Sequence, residues 1–179
     1  MGTDRNLARG DKIIEYFEHL DEHSSRVKVT ELGESTEGNP FLLAVITSAE
    51  NLKRIERLRE ISLQLSHPQG LSEEDVEELV EEGKVFVSNT NSVHASEVGG
   101  TQMASELAFE LATSEDHAME HVRQNTVFLL IPSANPDGNQ MVVDWYNEWR
   151  GTTYEGSSLP YLYHKYVGHD NNRAPPQNS

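Results

Sequence analysis

The sequence of 179 residues contains no cysteine. Disulfides, a thiol nucleophile and a cysteine-ligated zinc site are therefore excluded, and any zinc site must be built from histidines and carboxylates. Long apolar runs are also missing, because the longest, residues 41–46 and 127–131, have the length of strands and cannot span a bilayer. Residues 1–6 show no apolar segment typical of a signal peptide, so the sequence leaves the cellular location open.

Basic residues are scarce as well. The sequence contains 14 Lys and Arg but 30 Asp and Glu, which gives a net charge of -16. This field repels nucleic-acid phosphates and anionic membrane surfaces, so neither nucleic acid nor membrane is an expected partner. The acidity is compatible with an extracellular or periplasmic setting but does not identify one.

The hydrophobic pattern predicts one α/β domain. Apolar side chains at helical spacing alternate along the chain with short apolar runs, and the first two of these runs flank a turn-rich segment, as in an antiparallel hairpin. This order indicates a mixed β-sheet flanked by helices. The predicted helices cover residues 10–22, 48–65, 72–82, 101–111, 114–123 and 142–150, and the predicted strands cover 26–32, 41–46, 84–88 and 126–131, the last two as buried strands.

Two polar side chains follow the strand at residues 84–88. His94 and Glu97 lie on the connection to the next predicted helix, where α/β proteins place their ligands. An imidazole nitrogen and a carboxylate three residues apart can converge on one cation, and zinc accepts this pair of ligands. The same spacing also fits a solvated pair of loop residues, so His-x-x-Glu alone does not establish a metal site.

Four further marks occur in one order with this pair. They are the turn at residues 33–40, Asn135-Pro136-Asp137-Gly138, Trp149-Arg150 and Asp170-x-Asn172-Arg173. With these marks the sequence resembles the zinc carboxypeptidase family (peptidase family M14) from about residue 10 to Arg173. The resemblance implies a zinc-dependent metalloprotease, a hydrolase that removes residues from the C-termini of peptides or proteins.

The resemblance also implies roles for single residues. His94 and Glu97 match the first two zinc ligands, and Asp170 matches the acidic residue that holds the ligand histidine from outside the metal's own ligand shell. Arg150 matches the catalytic and substrate-binding cation that stabilises the oxyanion. Asp170 also fits a loop cap, and Arg150 also fits a cation at a helix end.

The C-terminal carboxylate of a substrate would be held by Asn172 and Arg173, which match the family's carboxylate-binding pair. A surface ion pair remains an alternative for these two residues. Asn135 to Gly138 are expected to form a structural loop at the floor of the site, with Asp137 in turn chemistry. His169 stands beside Asp170 and is interpreted as a bystander.

After Arg173 the sequence departs from the family. Residues 174–179 form an atypical tail, and neither the third zinc ligand, a histidine, nor the glutamate that serves as general base has a match in the chain. Residues 1–173 are therefore expected to be the N-terminal portion of a truncated peptidase domain. We expect the isolated chain to be essentially inactive and to self-associate through its incomplete sheet.

Two other functions remain open. One is a zinc deacylase or amidohydrolase of the aspartoacylase-like branch, acting on small N-acyl amino acids. The other is a non-catalytic domain that binds peptide ends. The five marks in one order favour the peptidase.

Overall fold

A four-stranded mixed sheet organises the fold. The computed structural model describes residues 2–173, so the predicted tail at residues 174–179 lies outside the described residues. The strands are β1 (Val27–Glu34), β2 (Pro40–Ile46), β3 (Val85–Thr90) and β4 (Thr126–Ile131). The helices are α1 (Gly10–His23), α2 (Ala49–Lys53), α3 (Ile55–Ser66), α4 (Glu73–Glu82), α5 (Val98–Thr113), α6 (His117–Asn125) and α7 (Pro136–Trp149), followed by a 3-10 turn at Asn171–Arg173.

The strands follow the order β1-β2-β4-β3. The first two form the predicted antiparallel hairpin, β2 also pairs antiparallel with β4, and β3 pairs parallel with β4 from Val85↔Thr126 to Thr90↔Ile131. The parallel pair brings two carboxyl ends together, and Asn91 continues the contact by donating to Ile131 O at 3.1 Å. This confirms the predicted mixed sheet and places the connection after β3 beside the connection after β4.

Helices cover both faces of the sheet. On one face, α1 and α5 bury Phe17, Ala44, Ala108 and Leu130 in the larger core cluster. On the other face, α3 and α4 bury Leu58, Ile61 and Leu79 against Val127. Alternate residues of β4 thus point into two cores, which is why its sequence is apolar without interruption.

Three local predictions differ from the structure. The predicted helix at residues 48–65 is divided into α2 and α3, because Arg54 leaves the helical conformation at φ -115° and ψ 24°. The predicted buried strand β3 is instead an edge strand, with Val85 64% exposed. Helical spacing in the predicted helix at residues 101–111 places Met103 on one apolar face with Leu107, Ala108 and Leu111, yet Met103 is 43% exposed, whereas Ala104 and Ala108 are buried.

Within residues 2–173, β3 pairs only with β4. An edge strand with apolar side chains presents unpaired backbone groups, which are a template for association with another chain. No helix in the described part of the chain is long and apolar enough to cross a membrane.

Candidate metal centre

The connection between β3 and α5 has a defined conformation that begins at Ser92. Ser92 adopts a positive φ of 52°, and its hydroxyl donates to Glu97 O at 3.0 Å. Ser92 Oγ in turn accepts hydrogen bonds from the backbone N–H of Thr101 at 3.1 Å and from the Thr101 hydroxyl at 2.6 Å. These buried contacts fold the loop back over the first turn of α5 and fix the positions of His94 and Glu97.

His94 contacts a different carboxylate with each ring nitrogen. Its Nδ1 lies 3.3 Å from Glu97 Oε1, and its Nε2 lies 3.0 Å from Asp170 Oδ1. Hydrogen bonds to Glu97, the largest single cause, and to Asp170 raise the pKa of His94 above its ordinary value. The side chain of His94 is 25% exposed and that of Glu97 is 66% exposed, so the Nδ1 side of the ring is open to a ligand.

Asp170 is held in place by its own neighbours. Its Oδ1 accepts from the backbone N–H of Asn172 at 2.9 Å, and this bond, followed by the contact with His94, lowers the pKa of Asp170. One residue further on, Asn171 donates to Val93 O at 2.9 Å. The segment around residue 170 is therefore joined to the β3–α5 connection by two hydrogen bonds, although 76 residues separate His94 from Asp170.

Tyr163 is a residue of the site that the sequence did not predict. Its ring meets the His94 ring edge-on, with centroids 5.9 Å apart, and its hydroxyl lies 3.5 Å from Asp170 Oδ1. Burial raises the pKa of Tyr163, and the charge of Asp170 raises it further. Tyr163 lies in a segment without helix or strand, so no periodicity could have indicated its position.

The motif at residues 135–138 forms the first turn of α7 and not a separate loop. Asn135 caps the helix by accepting from the Gly138 N–H at 2.9 Å, and it donates to Tyr163 O at 3.0 Å. A Cβ on Gly138 would lie 2.2 Å from Tyr163 O and 2.6 Å from Ala95 Cβ. Only glycine therefore allows this helix to touch both segments that carry the His94 site.

Asp137 has the turn chemistry expected of it. It is 4% exposed, and its carboxylate accepts from Asn39 Nδ2 at 2.7 Å, from the Glu37 N–H at 3.2 Å and from the Ser35 hydroxyl. The carboxylate thus fixes the turn between β1 and β2 to the start of α7.

The structure does not bring Arg150 to His94. Arg150 ends α7, and its Nη1 donates to Arg5 O at 3.0 Å and to Asn6 Oδ1 at 2.8 Å. Within residues 2–173 it forms no hydrogen bond with His94, Glu97 or Asp170. The N-terminal segment therefore occupies this guanidinium.

Asn172 and Arg173 lie in the 3-10 turn that follows Asp170, and both are exposed. The side chain of Asn172 has no hydrogen-bond partner in the described chain, and Arg173 donates only to Asn172 O at 3.4 Å. Both side chains are available to a ligand near His94. His169 is exposed, and its Nδ1 lies 2.9 Å from Asp170 O, so the ring nitrogen facing this carbonyl is a donor.

The donors present fit part of a zinc site. Two ligand atoms about 2.0–2.2 Å from a tetrahedral zinc ion stand roughly 3.3–3.5 Å apart, and His94 Nδ1 and Glu97 Oε1 are separated by 3.3 Å. No group of three or more His, Asp or Glu side chains that could hold a metal occurs within residues 2–173. His94 and Glu97 thus present two donor atoms at a separation that one zinc ion could bridge, and Asp170 contacts the other ring nitrogen of His94.

The model of the zinc carboxypeptidase family matches residues 13–178. No curated protein matches the chain.

Two solved structures resemble the fold. Carboxypeptidase A from Helicoverpa armigera shares 18% sequence identity over 76% of this chain, with a TM-score of 0.51. Thrombin activatable fibrinolysis inhibitor shares 15% identity over 94% of this chain, with a TM-score of 0.53. At these identities the likeness concerns the fold. The matched regions cover 26% and 34% of the two known chains, so this chain spans about a quarter to a third of their length.

Proposed function

The chain belongs to the zinc carboxypeptidase family, and we propose that it forms the part of a zinc-dependent metallocarboxypeptidase that provides two metal ligands, His94 and Glu97. The corresponding activity is hydrolysis of the C-terminal peptide bond of peptides or proteins.

The observation that supports this proposal most strongly is that the two ring nitrogens of His94 contact two different carboxylates. The Asp170 carboxylate can only accept, so Nε2 carries a proton, and loss of the Nδ1 proton on metal binding would direct the Nδ1 lone pair to the side where Glu97 Oε1 lies. A carboxylate behind a histidine fixes its tautomer and strengthens its basicity towards a metal. A solvated loop pair would not require the second carboxylate, which comes from a segment 76 residues away.

Each residue of this chain then has a defined task. Zinc, when bound, would supply a Lewis acid and a water of lowered pKa. His94 and Glu97 would hold the ion, Asp170 would orient His94, and Tyr163 would cover the edge of the imidazole ring on the protein side.

Substrate binding is assigned to the 3-10 turn beside Asp170. The exposed Asn172 and Arg173 would hold the terminal carboxylate, a task that suits an amide and a planar guanidinium. Arg150 would stabilise the oxyanion only after it exchanges Arg5 O and Asn6 Oδ1 for substrate.

Full activity requires more than these residues. Two protein ligands hold zinc less tightly than three, and a water without a general base is activated poorly. We therefore expect residues 1–173 alone to bind zinc weakly and to hydrolyse peptides negligibly.

A second candidate function is binding of peptide ends without cleavage. It is favoured by the exposed, unoccupied Asn172 side chain beside Arg173, together with the engagement of Arg150 by the N-terminal segment. A peptide with a free C-terminus that binds more tightly than its amide, equally with and without zinc, would support this function.

Zinc titration by calorimetry on chelator-stripped protein tests the leading proposal. We expect one ion per chain, with the affinity reduced at least about tenfold in His94→Ala and in Glu97→Gln. Glu106→Gln is the control, since Glu106 is exposed on α5 and its side chain forms no hydrogen bond within the described residues. Equal affinities for wild type, His94→Ala and the control would refute a metal site at His94.

A further inference from the structure

Two histidines lie together on the solvent side of α1. His19 and His23 stand four residues apart on the helix and both are exposed, whereas Phe17 and Leu20 on the other side are buried. Side chains four residues apart are neighbours on a helix surface. Within residues 2–173, neither histidine forms a hydrogen bond or a ring contact with the candidate metal centre. The pair is therefore a separate feature of the molecule.

The two rings are arranged so that lone pairs remain free. They stack with centroids 4.0 Å apart at an interplanar angle of 29°. His23 Nδ1 lies 2.9 Å from His19 O, and since a carbonyl oxygen only accepts, Nδ1 carries a proton. In the neutral ring the lone pair is then on Nε2. A bond from Nδ1–H to a backbone carbonyl commonly directs the other ring nitrogen to a metal. The His19 ring has no hydrogen-bond partner within the described residues.

A second histidine pair shows that spacing alone does not give this arrangement. His117 and His121 are also four residues apart and exposed, on α6. The Asn125 amide nitrogen, which only donates, lies 3.3 Å from His121 Nδ1, so the lone pair of that nitrogen is occupied. Among the described residues no ring contact joins His117 to His121. The α1 pair is thus prepared for a shared ligand and the α6 pair is not.

The charges around the α1 pair favour a cation. Glu15 and Glu22 lie about one turn before and after His19 on the helix surface. Lys12 neutralises Glu15 at 2.7 Å, whereas Glu22 has no ion-pair partner within residues 2–173. His23 is the last residue of α1, where the free carbonyl ends give the helix a partial negative charge. The net charge of -16 adds a general attraction.

Copper(II) suits these donors best. Two imidazoles that hold one metal at right angles, with metal–nitrogen bonds of about 2.0–2.1 Å, have centroids about 4.5 Å apart. The His19 and His23 rings lie within about 0.5 Å of that separation. They need only turn apart, a rotation that exposed side chains make within nanoseconds. Nitrogen donors bind Cu²⁺ more tightly than Ni²⁺ or Zn²⁺, and copper(II) accepts a tetragonal set of nitrogen and oxygen ligands.

We propose that His19 and His23 form a surface binding site for Cu²⁺. Nε2 of His23 and one ring nitrogen of His19 bind the ion in neighbouring positions. Water occupies the other positions, because no third His, Asp or Glu joins the pair within residues 2–173. Zinc also takes carboxylate ligands, so it is expected to prefer His94 with Glu97. The copper site is therefore independent of the peptidase function proposed above.

A copper titration of the whole chain carrying His94→Ala tests the proposal, because this background removes the histidine of the candidate metal centre. Paramagnetic Cu²⁺ broadens the amide resonances near it in ¹H–¹⁵N spectra. We expect the first equivalent to broaden the C-terminal half of α1 before α6, and the EPR spectrum of the bound ion to show two nitrogen ligands. Broadening that begins at α6 or elsewhere, or a single nitrogen ligand, would overturn the proposal.

Matched variants in the same background separate the pair from a general affinity of histidines for copper. His19→Ala and His23→Ala should each weaken Cu²⁺ binding at least about tenfold, because the second nitrogen binds as an intramolecular ligand. His117→Ala removes an exposed histidine of the same spacing and should leave the affinity unchanged. Equal weakening in all three variants would overturn the proposal. Zn²⁺ binding at the α1 pair as tight as that of Cu²⁺ would contradict the assignment to copper.

Discussion

The close packing around Gly138 makes a quantitative prediction for Gly138→Ala. The new Cβ would lie 2.2 Å from Tyr163 O, whereas a carbon and a carbonyl oxygen in contact stand about 3.3 Å apart. Tyr163 O would therefore have to retreat by roughly 1 Å. Such a movement also breaks the hydrogen bond from Asn135 Nδ2 to the same oxygen, which measures 3.0 Å.

The expected loss of stability follows from these contacts. Overpacking of this kind costs about 1–3 kcal/mol, and loss of the hydrogen bond adds about 1 kcal/mol. Replacing glycine by alanine within a helix returns about 1 kcal/mol. The free energy of unfolding of Gly138→Ala should therefore fall by about 1–3 kcal/mol in a urea titration.

Gly99→Ala is the matched control. Gly99 lies in the first turn of α5, and a Cβ there would meet nothing within 4 Å. This variant should be as stable as the wild type or more stable, by up to about 1 kcal/mol. If Gly138→Ala behaved like Gly99→Ala, α7 would not support the two segments of the candidate metal centre in the way described.

Three further predictions concern other parts of the molecule. Asp137→Ala removes the acceptor of three hydrogen bonds, so its free energy of unfolding should fall by about 2–4 kcal/mol in urea; an unchanged midpoint would show that other contacts hold the β1–β2 turn. Arg5, the Gly151 N–H and Tyr146 lower the pKa of Glu155 from 4.5 to about 2, so the ionised carboxylate stabilises the fold above pH 4.5 and this contribution disappears as the pH falls towards 2. The stability difference between wild type and Glu155→Gln, measured by thermal unfolding against pH, should shrink over that range, and a constant difference would argue against the ion pair. Val87→Lys places a charge on the exposed edge strand and should shift self-associated chains towards monomer in light scattering, whereas an unaffected oligomer would locate the contact elsewhere.

Much of the fold could be predicted from local patterns. The β1–β2 hairpin and α1 follow from alternation and from helical spacing, which act within a few residues. The position of β3 could not be predicted, because an apolar run is the same whether a strand lies inside a sheet or at its edge. The neighbours that decide this question are distant in the chain.

In the candidate site, too, some residues could be predicted from the sequence, whereas others depend on contacts between distant parts of the chain. His94 and Glu97 could be identified because three residues of one loop place them together, and Asp170 could be named from the resemblance to a family. Tyr163 could not be predicted, since it lies in an irregular segment. The sequence around Gly138 is that of an ordinary turn, and nothing local indicates its close contact with Tyr163 O. The partners of Arg150 come from the N-terminal segment, about 145 residues away, and no local pattern indicates them.

The most direct measurement of the central claim is the ¹⁵N spectrum of the His94 ring before and after zinc is added. The account predicts that Nε2 stays protonated beside Asp170 while the Nδ1 resonance moves to the position of a metal-bound nitrogen. In Asp170→Ala the ring proton should no longer favour Nε2 over Nδ1, and zinc should bind about 10–100-fold more weakly. Zinc bound at Nε2, or a His94 spectrum that zinc does not change, would contradict the account.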